Sequence, residues 1–148
     1  MINGKVVEQY NKHGVSVVRD CISKDWLTVL RDAVEQDIRD PGPYVHRYES
    51  DDGQGRFHGN LRLWETNSKF RDFCLDSPLP EMAAQLLGSA KVNLLYDQLF
   101  VKEPGTPNRT RWHNDQPYWA MRGWQVLTFW IALDPVNRDS GALEFLRG

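Results

Sequence analysis

Residues 124–133, WQVLTFWIAL, decide the fold class of this chain. A run this short, with apolar side chains at nearly every position, is typical of a strand buried on both faces. KVNLLYDQLFV at 91–101 predicts another strand, and ALEFL at 142–146 begins one more. The second half of the chain is therefore predicted to be β structure.

The first half of the chain has helical spacing instead. After Ser23, a favourable N-cap residue, apolar side chains recur at steps of three and four residues before Pro41 ends the run. This apolar stripe consists of Leu27, Leu30, Val34 and Ile38. Helices that come first and strands that come later predict an α+β fold with a mainly β core.

Other elements of the first half follow from local signals. Residues 15–19, VSVVR, predict a short strand, and residues 39–60 predict a long loop because Gly, Pro and Asp cluster there without a sustained period. Three further helices are predicted, at 2–13, at 67–76 and from Ser77-Pro78 to Gly88.

The composition favours one globular domain. The 148 residues are 41% hydrophobic and 26% charged, and a net charge of −2 argues against nucleic-acid and anionic-membrane partners. No apolar stretch approaches the roughly 20 residues of a membrane span, and the first ten residues lack a signal-peptide core. Cys21 and Cys74 form no metal or redox spacing, so we expect free thiols and a cytoplasmic protein.

The chemical centre is Trp112-His113-Asn114-Asp115. In a strand, residues i and i+2 point to the same face, so His113 and Asp115 can offer an imidazole nitrogen and a carboxylate oxygen to one metal ion. A second histidine would complete the 2-His-1-carboxylate triad of non-haem iron(II) oxygenases. The alternative is an exposed loop histidine beside a turn aspartate, because so short a pattern also arises by chance.

The sequence around this motif resembles the phytanoyl-CoA dioxygenase family. The segments that carry the resemblance are LFVKEPGTPNRTRWHNDQPYW at 99–119, LTFWIALD at 127–134 and NRDSGALEFLRG at 137–148. They match the family's Lys-x-Pro-Gly loop, Trp-His-x-Asp motif, aromatic pair and strand with a central Trp. The resemblance implies a double-stranded β-helix, which is a cupin-like jelly roll, preceded in the chain by N-terminal helices. It also implies an oxygenase that uses Fe(II), 2-oxoglutarate and O₂ to hydroxylate a small or medium organic substrate, with release of succinate and CO₂.

The resemblance also implies roles for individual residues. His113 and Asp115 match the iron ligands, and a carboxylate at the latter position favours hydroxylation or desaturation over halogenation. Trp130 matches an aromatic residue beside the 2-oxoglutarate pocket, Leu99 an apolar residue lining it, and Arg62 a basic residue contacting the co-substrate. The alternatives are ordinary core packing for Trp130 and a solvated surface charge for Arg62.

The family pattern continues past this sequence to a distal histidine and a co-substrate-binding arginine. None of the other histidines, His13, His46 and His58, matches the distal position, and surface roles are expected for the last two. A jelly roll needs about eight strands, more than the sequence supplies. We therefore expect residues 1–148 to form a single, C-terminally incomplete domain, mostly helical over 1–89 and the first part of a jelly roll over 90–148.

Such a chain is expected to be inactive alone and to self-associate through open sheet edges. Two other functions remain open at this point. One is a catalytically inactive binding or assembly module derived from the fold, and the other is a cupin-like protein that uses zinc or another divalent ion.

Overall fold

A computed structural model describes residues 2–49, 55–106 and 109–147. Within these residues, helices pack on a small antiparallel sheet, which confirms the α+β class. The helices are α1 (Gly4–His13), α2 (Lys24–Arg39), α3 (Leu63–Thr66), α4 (Ser68–Asp76) and α5 (Leu79–Leu87). The strands are β1 (His46–Glu49), β2 (Arg56–Leu61) and β3 (Gln98–Lys102), and short 3-10 helices cover Gln116–Tyr118 and Arg138–Ser140.

The capping residues explain where the helices begin and end. The Ser23 hydroxyl accepts a hydrogen bond from the Trp26 N–H at 3.2 Å at the start of α2. Gly14 and Gly88 end α1 and α5 in the left-handed conformation, with φ of 70° and 59°, which glycine adopts without steric cost. The helices predicted from sequence are therefore confirmed with small shifts at their ends. Among the described helices, none has both the length and the apolar composition needed to cross a membrane.

The hydrophobic core lies between α2, α4 and the inner side of β3. Trp26 of α2 and Phe73 of α4 meet edge to face, with ring centroids 5.4 Å apart. Fully buried apolar side chains form the centre, and Ile131 and Leu133 pack against it from the second half of the chain. The buried members are Leu30, Ala33, Val34, Leu63, Phe70, Phe73 and Leu99.

The sheet has the order β1-β2-β3 with both pairs antiparallel. His58 at its centre faces Arg47 of β1 and Val101 of β3. The prediction of a continuous loop over 39–60 is therefore wrong, although residues 50–54 lie outside the described part. The alternation of β2 was hidden because polar side chains, His58 and Asn60, fill its buried positions.

Four predicted strand segments do not form as predicted. Residues 15–19, 91–97, 124–133 and 142–146 carry no strand pairing in the structure, because within the described residues no neighbouring strand bonds their backbone groups.

Burial over 127–133 alternates, with Phe129, Ile131 and Leu133 half-buried while Thr128 and Trp130 are exposed. The prediction of burial on both faces is therefore wrong for this segment. The described residues form one three-stranded sheet, so the jelly roll and the division near residue 90 stay predictions from the family resemblance.

Candidate metal centre

The structure brings His113 and Asp115 together. Nε2 of the histidine lies 3.0 Å from Oδ1 of the aspartate, and the two side chains are 42% and 47% exposed. A shared strand face is not the cause, because Asp115 has helical dihedral angles (φ −71°, ψ −36°) and leads into the 3-10 helix Gln116–Tyr118. The turn folds the carboxylate back toward the imidazole.

Hydrogen bonds of this turn fix the position of Asp115. The Asn114 side-chain oxygen accepts from the Gln116 N–H at 3.0 Å, and the Asp115 carbonyl accepts from the Tyr118 N–H at 2.9 Å. Pro117 lies in the first turn, where its ring restrains φ and its missing N–H costs nothing. The Gln116 side-chain amide donates to the Gly123 carbonyl at 2.9 Å, which ties the turn to the chain that follows it.

The hydrogen bonding of His113 indicates which of its ring nitrogens carries a hydrogen. Nδ1 lies 2.7 Å from the Arg111 carbonyl oxygen, which can only accept, so Nδ1 carries a hydrogen. Nε2 then faces the Asp115 carboxylate, and either a proton or a metal cation at Nε2 makes that contact attractive. Metal-binding histidines characteristically donate from the other ring nitrogen in this way, because the bond fixes both tautomer and ring orientation.

The donor set suits iron(II). Imidazole nitrogen and carboxylate oxygen are the two ligand types of the facial triad, and Nε2 and Oδ1 lie 3.0 Å apart. In the parts of the chain that the structure describes, no third His, Cys, Asp or Glu joins them to form a group of metal ligands. His113 and Asp115 could therefore supply two ligands of such a centre.

Two contacts anchor the chain between β3 and the pair formed by His113 and Asp115. Lys102 at the end of β3 donates to the Thr110 hydroxyl at 2.7 Å, and burial lowers the pKa of this lysine. Arg56 of β2 forms an ion pair with Glu103 at 2.7 Å, and its hydrogen bond lowers the pKa of that carboxyl. The sheet therefore holds the start of the segment that carries His113.

Tyr118, an aromatic residue without a predicted role, contacts His113. The Tyr118 ring lies 6.3 Å from the His113 ring between centroids, at an interplanar angle of 74°. The next residue, Trp119, donates its indole N–H to the Tyr96 hydroxyl at 2.8 Å. The turn that places Tyr118 beside His113 depends on Asn114 and Pro117. These two turn-forming residues were the sequence feature that could have predicted its position.

Two residues predicted to line the co-substrate pocket lie in different environments. Leu99 belongs to the hydrophobic core and is 7% exposed, whereas Trp130 is 45% exposed and lies outside the core of the described residues. No hydrogen bond, ion pair or ring contact joins either of them to His113 or Asp115 within the described residues. Their roles toward 2-oxoglutarate stay predictions.

Arg62 lies at the surface and is already paired. It precedes α3 in a left-handed conformation, with φ of 58°, and its Nε donates to the Glu65 carboxylate at 2.8 Å. This hydrogen bond raises the pKa of the guanidinium, which also lies 5.7 Å from the Tyr44 ring centroid. A carboxylate of 2-oxoglutarate would compete with Glu65 for the Nε and Nη2 donors of Arg62.

His58 is buried, so its expected surface role is wrong. Its Nε2 lies 2.7 Å from Asp37 Oδ2 of α2, and the Asn60 amide donates to the other oxygen of that carboxylate at 2.8 Å. In the sequence, Asp37 lies one turn after Val34 on the apolar stripe of α2. A carboxylate at such a position indicates a buried polar partner, which here is His58. His46, by contrast, is exposed on β1, as expected.

Comparisons with curated proteins and with solved structures find no match for the chain. The model of the family described as phytanoyl-CoA dioxygenase (PhyH) matches residues 10–148. The match takes in helices α2 to α5, the sheet and the turn that joins His113 to Asp115. With nearly its whole length matched, the chain belongs to the phytanoyl-CoA dioxygenase family.

Proposed function

We propose that this protein is an Fe(II)- and 2-oxoglutarate-dependent oxygenase that hydroxylates a small or medium organic substrate. Membership of the phytanoyl-CoA dioxygenase family supports the reaction class. The observation that carries the proposal to particular residues is the 3.0 Å approach of His113 Nε2 to Asp115 Oδ1, with His113 Nδ1 bonded to a backbone carbonyl. Succinate and CO₂ are the products expected from the co-substrate.

The two ligand residues have separate tasks in this proposal. Bound iron supplies the oxidation of a C–H bond by O₂, coupled to decarboxylation of 2-oxoglutarate. His113 presents Nε2 in a fixed orientation because Arg111 holds its other nitrogen. Asp115 contributes a negative charge that offsets the charge of the cation. Because this position holds a carboxylate ligand, hydroxylation or desaturation is favoured over halogenation.

The co-substrate is proposed to use the residues that match the family. Arg62 would pair a carboxylate of 2-oxoglutarate, with Glu65 displaced, while Trp130 and Leu99 would bound the pocket. The half-exposed surface of Trp130 supports its part of this proposal, because an exposed indole has a face available to a ligand.

Succinate formation tests the proposal. The protein is incubated with Fe(II), 2-oxoglutarate and O₂ against a panel of carboxylic acids, thioesters and amino acids. We expect succinate above the metal-free background when the family's distal histidine and arginine are supplied in the same chain, and none from residues 1–148 alone. In that active protein, we expect His113→Ala and Asp115→Ala to abolish succinate formation. His46→Ala, which removes an exposed histidine outside the site, serves as the matched control. Equal succinate from wild type and Asp115→Ala would contradict the ligand assignment, and binding of panel compounds without turnover would favour a non-catalytic module.

A further inference from the structure

Tyr118 contacts both candidate ligands of the metal ion. Its backbone N–H donates to the Asp115 carbonyl at 2.9 Å, which closes the turn between these two residues. Its ring lies 6.3 Å from the His113 ring between centroids, at an interplanar angle of 74°. The same residue therefore bonds the backbone of one ligand and contacts the side chain of the other.

The two rings have the geometry of an attractive aromatic pair. Edge-to-face pairs are favoured at centroid separations of about 4.5–7 Å, because the positive edge of one ring meets the negative face of the other. The nearly perpendicular rings of Tyr118 and His113 lie within this range. The contact therefore favours one orientation of the imidazole over the others.

The His113 imidazole has few other supports. Its side chain is 42% exposed, so close packing on all sides does not fix its orientation. The Arg111 carbonyl accepts from Nδ1 at 2.7 Å, and Nε2 faces Asp115. A cation at Nε2 takes the place of a hydrogen bond to Asp115, and the ring can then tilt about its bond at Nδ1. Among the described residues, the Tyr118 ring is the remaining contact that restrains this tilt.

Neighbouring hydrogen bonds hold Tyr118 itself in place. The Gln116 side-chain amide donates to the Gly123 carbonyl at 2.9 Å, and the Trp119 indole donates to the Tyr96 hydroxyl at 2.8 Å. These bonds fix the chain on both sides of Tyr118, and neither involves its side chain. Because any residue except proline supplies the same backbone N–H, a substitution of Tyr118 removes the ring and leaves the turn in place.

We propose that Tyr118 is a positioning residue, whose ring holds the His113 imidazole in the orientation in which Nε2 binds the metal ion. This role rests on the proposed assignment of His113 as a ligand. The contact between the two rings needs neither metal nor turnover, so it is measured separately.

Isothermal titration calorimetry with Mn²⁺ compares the wild type with three variants. Tyr118→Phe keeps the ring and should bind Mn²⁺ like the wild type. Tyr118→Leu keeps apolar volume without a ring and should bind Mn²⁺ about threefold more weakly. Phe145→Leu makes the same kind of change at another exposed aromatic residue and should leave the affinity unchanged.

Two further measurements separate positioning from folding. Tyr118 is 76% exposed, so Tyr118→Leu should keep the circular dichroism spectrum and the denaturation midpoint of the wild type. In nuclear magnetic resonance spectra of the metal-free protein, nuclear Overhauser effects should connect the His113 ring to the aromatic ring at position 118, both in the wild type and in Tyr118→Phe.

Equal Mn²⁺ affinities of the wild type and Tyr118→Leu, or no Overhauser effects between the two rings, would overturn the proposal. An affinity that falls in Tyr118→Leu and is retained in Tyr118→Phe would support it. That result in a protein that forms no succinate would contradict the oxygenase function alone. A wild type that binds no Mn²⁺ would contradict the ligand assignment and overturn the positioning role with it.

Discussion

At the scale of single residues, the turn after His113 sets the geometry of the candidate centre. Asn114 contributes no ligand, but its side-chain oxygen bonds the Gln116 N–H and so shapes the turn that points Asp115 at the imidazole. The Arg111 carbonyl fixes the ring on the other side. The sequence pattern predicts His113 and Asp115 as ligands. It does not predict the contact between the His113 ring and the Arg111 carbonyl, because every residue has a backbone carbonyl.

Asn114→Ala tests the contribution of the turn. Without the acceptor at Gln116, Asp115 loses its fixed approach, and we expect the Mn²⁺ affinity to fall by about tenfold, as for other residues that orient metal ligands. Asn114→Asp keeps an acceptor oxygen and should bind at least as tightly as the wild type. Isothermal titration calorimetry measures both. Unchanged affinity in Asn114→Ala would show that the turn does not position the ligand.

Cys74 provides a test of burial at a second residue. Burial, followed by the negative charge of Asp97, raises the pKa of this thiol from 9.0 to about 12. Because the folded pKa lies above the unfolded one, this group's contribution to stability is complete below pH 9 and is lost as the pH rises toward 12. In a Cys21→Ser variant at pH 8, we expect slow alkylation of Cys74 in the native state and fast alkylation in urea. Equal rates in the two states would contradict the burial.

At the scale of elements, α2 and β2 are joined by a buried polar contact. Asp37 accepts from Asn60 and contacts His58, and all three residues are buried. Buried polar groups cost free energy unless they are paired, so this network fixes where the helix crosses the sheet.

Asp37→Ala should therefore be strongly destabilising. It leaves His58 and Asn60 buried without their shared acceptor, and we expect a loss of about 3 kcal/mol in the free energy of unfolding. Asp32→Ala, at an exposed position of the same helix, should change it by less than about 0.5 kcal/mol. Chemical denaturation of both variants measures the difference. Similar values for the two would contradict the buried network.

The elements also show why helices were predicted better than strands. Ser23 and Gly88 signal helix ends through hydrogen bonds made within a few residues, so those signals are present in the local sequence. A strand depends on a partner elsewhere in the chain, which is why WQVLTFWIAL has strand composition without strand pairing. The β1–β2 hairpin was missed for the opposite reason, since buried polar residues conceal its alternation.

At the scale of the whole molecule, β3 is an edge strand that carries an exposed apolar side chain. Phe100 is 54% exposed on this strand, and the sheet order leaves β3 at one edge of the described sheet. Edges of this kind recruit other strands, so self-association through β3 is our proposal for how copies of the chain interact.

Phe100→Lys tests the proposed self-association. A charge on the edge strand opposes pairing, so we expect sedimentation velocity to show concentration-dependent association of the wild type and less association of the variant. Val17→Lys replaces an apolar side chain outside the sheet that is even more exposed than Phe100, and this variant should associate like the wild type. A wild type that is monomeric at every concentration would contradict the proposal.

Paramagnetic broadening by Mn²⁺ in nuclear magnetic resonance spectra tests the proposal that His113 and Asp115 bind the metal ion. We expect substoichiometric Mn²⁺ to broaden the amide signals around residues 111–118 first. The broadening should disappear in Asp115→Ala and persist in His46→Ala. Broadening centred elsewhere in the chain, or unchanged broadening around residues 111–118 in Asp115→Ala, would contradict the claim.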